Sequence, residues 1–275
     1  MTPVEKIFLM YQKTISFFSI SLATLVLLTG LAGIMRPAMY ETEAFNWQIQ
    51  TVWQDYVDVI FVVPVLLVSG FFSSRGSLNA LSVWAGTLLY LCYTYAIFAF
   101  SIHFNRSFLF YCIILGLSFY GILWFFHKNK SKRIMFRGRS WWLAIYLILT
   151  GAVFYLAWLA DVSPALLLGS RPAGIEQAGL FTNPVHVLDL SIVLPAYIIC
   201  GILLLGRQEI GVAMAPVLLS FGALMGLSTS TLQLVLFFNH MAHSLPVAFF
   251  LLLIAVVNIF FLIHLRNNHL TVHKF

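Results

Sequence analysis

The chain alternates long apolar runs with short polar segments, and this pattern predicts its fold. A helix needs about 20 residues to cross the hydrocarbon core of a bilayer, which is about 30 Å thick. Eight runs are long enough to do so: residues 14–35, 56–73, 80–102, 107–126, 141–160, 185–205, 210–237 and 245–265. We therefore predict an all-α polytopic membrane protein with eight transmembrane helices.

The composition agrees with this interpretation. Of the 275 residues, 61% are hydrophobic and only 9% are charged, whereas a soluble domain has about 25% charged residues. The longest polar stretches are residues 36–55, 127–140 and 161–184. Each is too short to bury a core of its own, so we expect one compact domain within the membrane.

The basic residues are distributed unequally between the two faces of the predicted bundle. Eight spans place both termini on one face, and the opposite face carries only Arg36, Arg106 and Arg171 of the 15 Lys and Arg residues. The positive-inside rule therefore predicts cytoplasmic N- and C-termini in the cell (inner) membrane. The basic segment 128–139 is interpreted as a topology determinant that contacts anionic lipid head groups. The lipid bilayer is the expected partner, and nucleic-acid binding is not expected.

One sequence pattern occurs twice within the predicted spans. Residues 57–70 read VDVIFVVPVLLVSG and residues 188–201 read LDLSIVLPAYIICG. The shared residues are Asp58, Pro64 and Gly70 in the first copy and Asp189, Pro195 and Gly201 in the second. Thr29–Gly30 likewise matches Thr150–Gly151 in the first and fifth spans. We predict two parallel-oriented four-helix repeats, residues 1–130 and 131–275, related by an axis along the membrane normal.

Polar residues in the loops predict where three helices begin. Thr51 and Gln54 have the spacing of a capping box, which predicts that a helix begins there, just before the second span. Asn183–Pro184 combines a cap with proline at the first helical position and predicts the start of the sixth span. Ser163–Pro164 predicts in the same way a short separate helix at the membrane surface.

Asp58 and Asp189 are the main candidates for a functional site, because ionisable residues are costly inside a membrane. Each is followed by a proline, which leaves one helical carbonyl without its usual donor, and in the second copy this carbonyl belongs to Ser191. Carboxylate and carbonyl oxygens suit a proton or a hard cation. If the axis brings the two acids together, they would share a proton. The alternative, that both acids only form structural hydrogen bonds with their neighbours, stays open.

The shared prolines and glycines predict points of bending. Proline removes a helical hydrogen bond, and glycine is the most flexible residue in the backbone. We therefore predict that the two halves rearrange about Pro64, Pro195, Gly70 and Gly201.

The residues three positions before the two acids differ between the copies. Asp55 precedes Asp58 and His186 precedes Asp189, and in a helix residues three apart lie on one face. Two acids could bind a cation, whereas a His–Asp pair could relay protons or contribute to a metal site. His186 also has the simpler interpretation of a hydrogen-bonding group near a helix start. Without an HExxH motif, the sequence predicts no metal site and no cofactor.

Aromatic and small residues within the spans have structural interpretations. Tyr93 belongs to an aromatic stripe of the third span, which suits packing or a pocket for a ring-bearing ligand. Trp158 lies near a span end and is interpreted as one anchor of the interfacial aromatic belt. Gly222 and Gly226 predict close helix packing in the seventh span, with Ser228 available as a hydroxyl donor.

Two phrases carry a resemblance to known sequences. The segments YTYAIFAFSIHFN at 93–105 and NPVHVLDLSIVLP at 183–195 resemble a family of prokaryotic multi-span integral membrane proteins. The resemblance spans most of the chain and implies the same kind of fold. It implies no activity, substrate or catalytic residue.

The sequence therefore leaves three hypotheses for function. The first is a small-solute or ion/proton permease that uses the paired intramembrane aspartates. The second is a membrane-embedded enzyme with an outward-facing His/Asp site formed by His186 and Asp189, assisted by His240 or His243. The third is a sensor or accessory subunit of a membrane complex, as a homo-oligomer or with a membrane partner.

Overall fold

The computed structural model describes residues 3–129, 133–136, 141–241, 245–267 and 270–273. Within these residues, eight helices are long and apolar enough to span a membrane, as the sequence predicts. They cover Met10–Met35, Phe45–Ser74, Leu78–Ser101, Phe108–Lys128, Trp141–Leu168, Pro184–Leu205, Glu209–Phe238 and Leu245–Arg266.

The helical elements follow one another in a simple order. The α-helices are α1 (Pro3–Met35), α2 (Phe45–Val57), α3 (Val63–Ser74), α4 (Leu78–Ser101), α5 (Phe108–Asn129), α6 (Trp141–Leu168), α7 (Ala173–Gln177), α8 (Pro184–Leu188), α9 (Leu194–Leu205), α10 (Glu209–Phe238) and α11 (Leu245–Asn267). A 3₁₀ helix covers Pro37–Tyr40, and π-helical turns cover Asp58–Val62 and Asp189–Val193. Two short strands, β1 (Arg133–Phe136) and β2 (Leu270–His273), pair antiparallel outside the spans.

Each proline of the repeated pattern follows a π-helical turn that begins at the aspartate. The N–H of Val63 donates to the carbonyl of Asp58, and the N–H of Leu194 donates to that of Asp189, five residues earlier in each case. A π-turn inserts one residue into the helix, and proline cannot donate to the turn before it. The second and sixth spans therefore continue through their prolines as α2–π–α3 and α8–π–α9.

Helices α4 and α10 form the centre of the bundle. Helix α4 packs against α3, α5 and α10, while α10 packs against α2, α9 and α11. A Cβ atom on Gly86 of α4 would collide with the Ser220 side chain and the Val217 carbonyl of α10, so this glycine allows a close approach of the two backbones. Most residues of the other spans are only partly buried, as expected of surfaces that face lipid.

Two predicted helix starts are wrong. Helix α2 begins at Phe45, after Ala44, and Thr51 lies inside it with its hydroxyl donating to the Trp47 carbonyl. The predicted start was too late because the polar residues of this helix face the protein interior. Pro164 lies inside α6, which continues to Leu168 without a break. Proline is tolerated within membrane helices, so it did not end this one.

The predicted start of the sixth span is confirmed. The Asn183 side chain accepts hydrogen bonds from the backbone N–H groups of Val185 (3.0 Å) and His186 (3.4 Å), and Pro184 occupies the first helical position. This cap fixes α8, which carries His186 and leads directly into the π-turn at Asp189. We call the face that carries residues 36–44, 102–107 and 169–183 the loop face, and the opposite one the termini face.

Candidate functional site

Helix α2 holds Asp55 in the protein interior, and the π-turn that follows it holds Asp58. Their exposed fractions are 1% and 0%, and they lie three residues apart on one helical face. Gly33 of α1 faces them, and a Cβ atom there would overlap the Asp55 carboxylate and the Tyr40 hydroxyl. The absence of a side chain at Gly33 therefore makes room for the acid between two tightly packed helices.

Asp58 is held by a network that joins three helices. The Gln54 Nε2 amide donates to Asp58 Oδ1 at 2.8 Å and to the Tyr90 hydroxyl at 2.7 Å. The Tyr90 hydroxyl donates to the same Oδ1 at 3.2 Å, and the Ser228 hydroxyl donates to Gln54 Oε1 at 2.8 Å. Gln54, Tyr90 and Ser228 lie on α2, α4 and α10, so the network crosses the boundary between the predicted halves.

Asp55 is held by a tyrosine from the loop before α2. The Tyr40 hydroxyl donates to Asp55 Oδ2 at 2.9 Å and lies 3.3 Å from the hydroxyl of Tyr111 on α5. Tyr40 is completely buried at the end of the 3₁₀ helix Pro37–Tyr40. Burial raises the pKa of Tyr40, with the charge of Asp55 as the next cause, so the phenol keeps its proton and acts as a donor.

One oxygen of each buried acid has no partner. Among the described residues, none donates a hydrogen bond to Asp55 Oδ1 or Asp58 Oδ2, and none forms an ion pair with either acid. A buried carboxylate without a countercharge is strongly destabilised. These two acids therefore require neutralisation by a proton or by a bound cation.

Asp189 has a different environment. It is half-buried, and both of its oxygens accept hydrogen bonds: Oδ2 from the indole N–H of Trp158 at 2.8 Å and Oδ1 from the Tyr93 hydroxyl at 3.1 Å. Tyr93 lies one turn from Tyr90 on α4, so the same helix holds Asp58 and Asp189. The two acids are thus linked through α4, and each carboxylate has its own hydrogen-bond donors.

His186 and Ser191 lie near Asp189 but have other contacts. The His186 ring packs 4.5 Å from the Trp158 ring, and its Nε2 lies 3.7 Å from Asp161 Oδ2. The Ser191 hydroxyl donates to the Val187 carbonyl of its own helix, and this side chain is exposed.

Gly70 and Gly201 occupy matching close contacts. A Cβ atom on Gly70 would collide with Ser19 of α1, and one on Gly201 would collide with Ile148 and the Ala144 carbonyl of α6. Gly70 therefore allows the second span to approach the first, and Gly201 allows the sixth span to approach the fifth. Bending at these glycines, at the exposed Pro64 and at the half-buried Pro195 stays a prediction.

The described histidines form no larger cluster with other metal-binding side chains. Within the part of the chain that the structure describes, no three His, Cys, Asp or Glu side chains are placed together to hold a metal ion. His240 lies in the turn after α10 with a left-handed backbone (φ 56°), and His243 lies outside the described residues. The functional groups around His186 are its imidazole, the indole of Trp158 and the carboxylates of Asp161 and Asp189.

Several site residues could not be recognised as such in the sequence. Trp158 is more than a membrane anchor, since its indole N–H binds Asp189. Gln54 was interpreted as part of a capping box, although its position one helical turn before Asp58 is a usable signal. Tyr40 gave no signal, because it belongs to a loop. The close packing predicted for Gly222 and Gly226 is confirmed, since both glycines adjoin α11.

Comparison with known proteins gives no relative from which a function could be inferred. The chain matches no family model, no curated protein and no solved structure. The acids and their donors are therefore interpreted from their own chemistry.

Proposed function

We propose that the protein is a proton-driven permease of the cell membrane for a small solute, with Asp55 and Asp58 as its proton site. The observation that carries this proposal is the burial of two neighbouring carboxyl groups, each with one unpartnered oxygen and without an ion pair among the described residues. Intramembrane acids of this kind are typical of proton relays in transporters.

The donors around the acids favour a proton over a metal cation. Tyr40 donates to Asp55 Oδ2, while Gln54 and Tyr90 donate to Asp58 Oδ1. A hard cation needs about six oxygen ligands that point lone pairs towards it, whereas here N–H and O–H groups occupy one side of each acid. One proton on Asp55 Oδ1 or Asp58 Oδ2 would remove the repulsion between two like charges.

The same network supplies a physical link between proton binding and movement. Ser228 of α10 binds Gln54, which in turn binds Asp58, so the acid is connected to the other half of the chain. The matching π-turns and prolines support the division into two four-helix repeats, residues 1–130 and 131–275. In this proposal the repeats rearrange about Pro64 and Pro195 when Asp58 gains or loses its proton. The termini lie in the cytoplasm, and the loop face lies outside.

Reconstitution in liposomes tests the proposal. The protein should take up a solute, found by screening small anions, amines and sugars, when a pH gradient is imposed, and Asp58→Asn should abolish this uptake. An infrared pH titration of the purified protein provides a readout that needs no solute. It should show the C=O band of a protonated carboxylic acid, and the band should weaken in Asp58→Asn and in Asp55→Asn. Uptake and an infrared titration that are both unchanged in Asp55→Asn and Asp58→Asn would contradict the proposal.

A membrane-embedded enzyme is the second candidate, favoured by His186 beside Trp158 and Asp161. In this proposal His186 exchanges protons with a substrate that enters from the loop face, and Asp189 orients Trp158. A measurable hydrolase or transferase activity that His186→Gln removes, without any proton-driven uptake, would favour it. Recovery of a stoichiometric membrane partner without either activity would instead favour the sensor or accessory role.

A further inference from the structure

We infer that protons reach the acid pair from the loop face, along a line of hydroxyl groups formed by Tyr111 and Tyr40. This inference rests on the proposed function, because it names the route to the same proton site. The line begins at the turn between α4 and α5 and ends at Asp55, which neighbours Asp58.

The hydroxyl groups form a continuous hydrogen-bonded chain. Tyr111 lies in the first turn of α5, where its backbone N–H donates to the Ser107 carbonyl at 3.0 Å, and its hydroxyl lies 3.3 Å from the Tyr40 hydroxyl. The Tyr40 hydroxyl lies 2.9 Å from Asp55 Oδ2. Both phenols are buried, whereas Asn105 is half-buried and next to the exposed Arg106. The turn beside the outer end of the line is therefore exposed, whereas the line itself is buried.

Each phenol can pass a proton without changing its own state. A tyrosine hydroxyl accepts a hydrogen bond at its oxygen and donates its own hydrogen. When the oxygen of Tyr111 receives a proton from a hydronium ion at the turn, which leaves a water molecule, the hydrogen of Tyr111 moves to the Tyr40 oxygen, and the Tyr40 hydrogen moves to Asp55 Oδ2. Both tyrosines are again neutral after the transfer, and one proton has reached Asp55. The raised pKa of Tyr40 supports this neutral state.

The hydrogen bonds of the two acids lead towards the loop face. From Asp58 the network continues to Tyr90, Gln54 and Ser228, and Gln54 lies one turn nearer the loop face than Asp58. On the other side of Asp58, the next residues along the second span include the buried apolar side chains of Val62 and Leu66. In this inference the structure corresponds to a state in which the proton site communicates with the loop face.

The other titratable groups near Asp55 are Asp58 on its own helix and Tyr95 on α4. The Tyr95 hydroxyl binds the Thr29 hydroxyl of α1 at 3.1 Å and makes no bond to either acid. Tyr95 is as buried as Tyr40 and Tyr111, but its hydroxyl does not belong to the proposed proton route. Tyr95→Phe is therefore a matched control for removal of a buried hydroxyl.

The test is the rate of protonation after a rapid drop in pH, followed by the infrared C=O band of the protonated acid in the full-length protein. Tyr111→Phe breaks the line and keeps the Tyr40–Asp55 hydrogen bond, so it should slow the appearance of the band about 100-fold while its final amplitude is unchanged. Tyr40→Phe should slow it similarly. Tyr95→Phe should match the natural protein.

The possible outcomes separate the route from the site. A rate in Tyr111→Phe equal to that of the natural protein would overturn the route, even if Asp58→Asn weakens the band. Equal slowing in all three tyrosine variants would also overturn it, because the effect would then be general to the bundle. A carboxyl band that Asp55→Asn and Asp58→Asn both leave unchanged would instead overturn the proposed function.

Discussion

The regions around Asp58 and Asp189 share a backbone and differ in chemistry. Both acids begin a π-turn that leads to a proline-containing helix of the same length. Asp58 is fully buried with one oxygen unpartnered among the described residues, whereas Asp189 is half-buried with both oxygens hydrogen-bonded. A repeated framework can therefore place an acid twice without giving it the same role.

The difference arises from the residues that face each acid. Three residues earlier, the first region has Asp55, which adds a second carboxyl, and the second has His186, which packs against Trp158 instead. When Thr29–Gly30 is aligned with Thr150–Gly151, the residue that corresponds to Gly33 in the second copy is Phe154. The first region holds a buried acid pair, whereas the second has a single acid beside His186, and we expect proton binding in the first region.

The largest expected effect comes from removing the acids one at a time. Asp58→Asn should weaken the infrared band of the protonated carboxyl and reduce proton-driven uptake by about 100-fold, because the amide cannot be protonated. Asp189→Asn should retain the band and most of the uptake, since its partners Trp158 and Tyr93 serve a structural role. An equal loss in both variants would contradict the comparison and support a site shared by the two acids.

Gly33→Ala should destabilise the protein by about 1–3 kcal/mol. The added methyl group would collide with the Asp55 carboxylate and the Tyr40 hydroxyl, and both of these side chains are buried. Thermal unfolding in detergent measures the change. Gly116→Ala on α5 is the control, because no heavy atom lies within 4 Å of its added Cβ. Equal unfolding temperatures for the two variants would show that Gly33 does not confine the acid.

The sequence predicted the parts of this arrangement that depend on local patterns. Apolar runs located the spans, and the two copies of the pattern located the acids that begin the π-turns. The Asn183 cap was predictable because its partners are two and three residues away.

The partners of the acids were not predictable, since they depend on contacts between distant segments. Ser228 binds Gln54 across 174 positions of the chain, and Tyr93 binds Asp189 across 96. Local patterns therefore gave Gln54 and Trp158 other interpretations, as a cap and as an anchor. Which of the two acids is fully buried depends in the same way on packing against α1 and α4, which no pattern within one helix encodes.

Hydrogen bonds across the boundary between the halves should differ in strength between the two regions. Ser228→Ala leaves the buried Gln54 Oε1 without its donor and should cost about 1–3 kcal/mol. Tyr93→Phe leaves the half-buried Asp189 with Trp158 and should cost about 0.5–1.5 kcal/mol. Thr229→Ala, which removes a hydroxyl bonded within its own helix, serves as the control for thermal unfolding. If Tyr93→Phe lowered the free energy of unfolding more than Ser228→Ala does, Asp189 and not Asp58 would be the acid whose hydrogen bonds contribute more to stability.

The smallest expected effect concerns a contact at the loop face of the first region. Glu43 is buried and accepts from the backbone N–H of His103 at 2.7 Å, while the exposed His103 ring lies 3.0 Å from the same oxygen. His103→Ala keeps the backbone bond and removes only the exposed contact, so unfolding should become easier by less than about 1 kcal/mol. Glu43→Ala removes both the backbone hydrogen bond and the contact with the His103 ring. It should lower the free energy of unfolding more than His103→Ala does, because it releases the loop that carries Tyr40. If His103→Ala instead slowed protonation of the acids as strongly as Tyr111→Phe, the exposed imidazole would belong to the proton route, and the first region would extend to the loop surface.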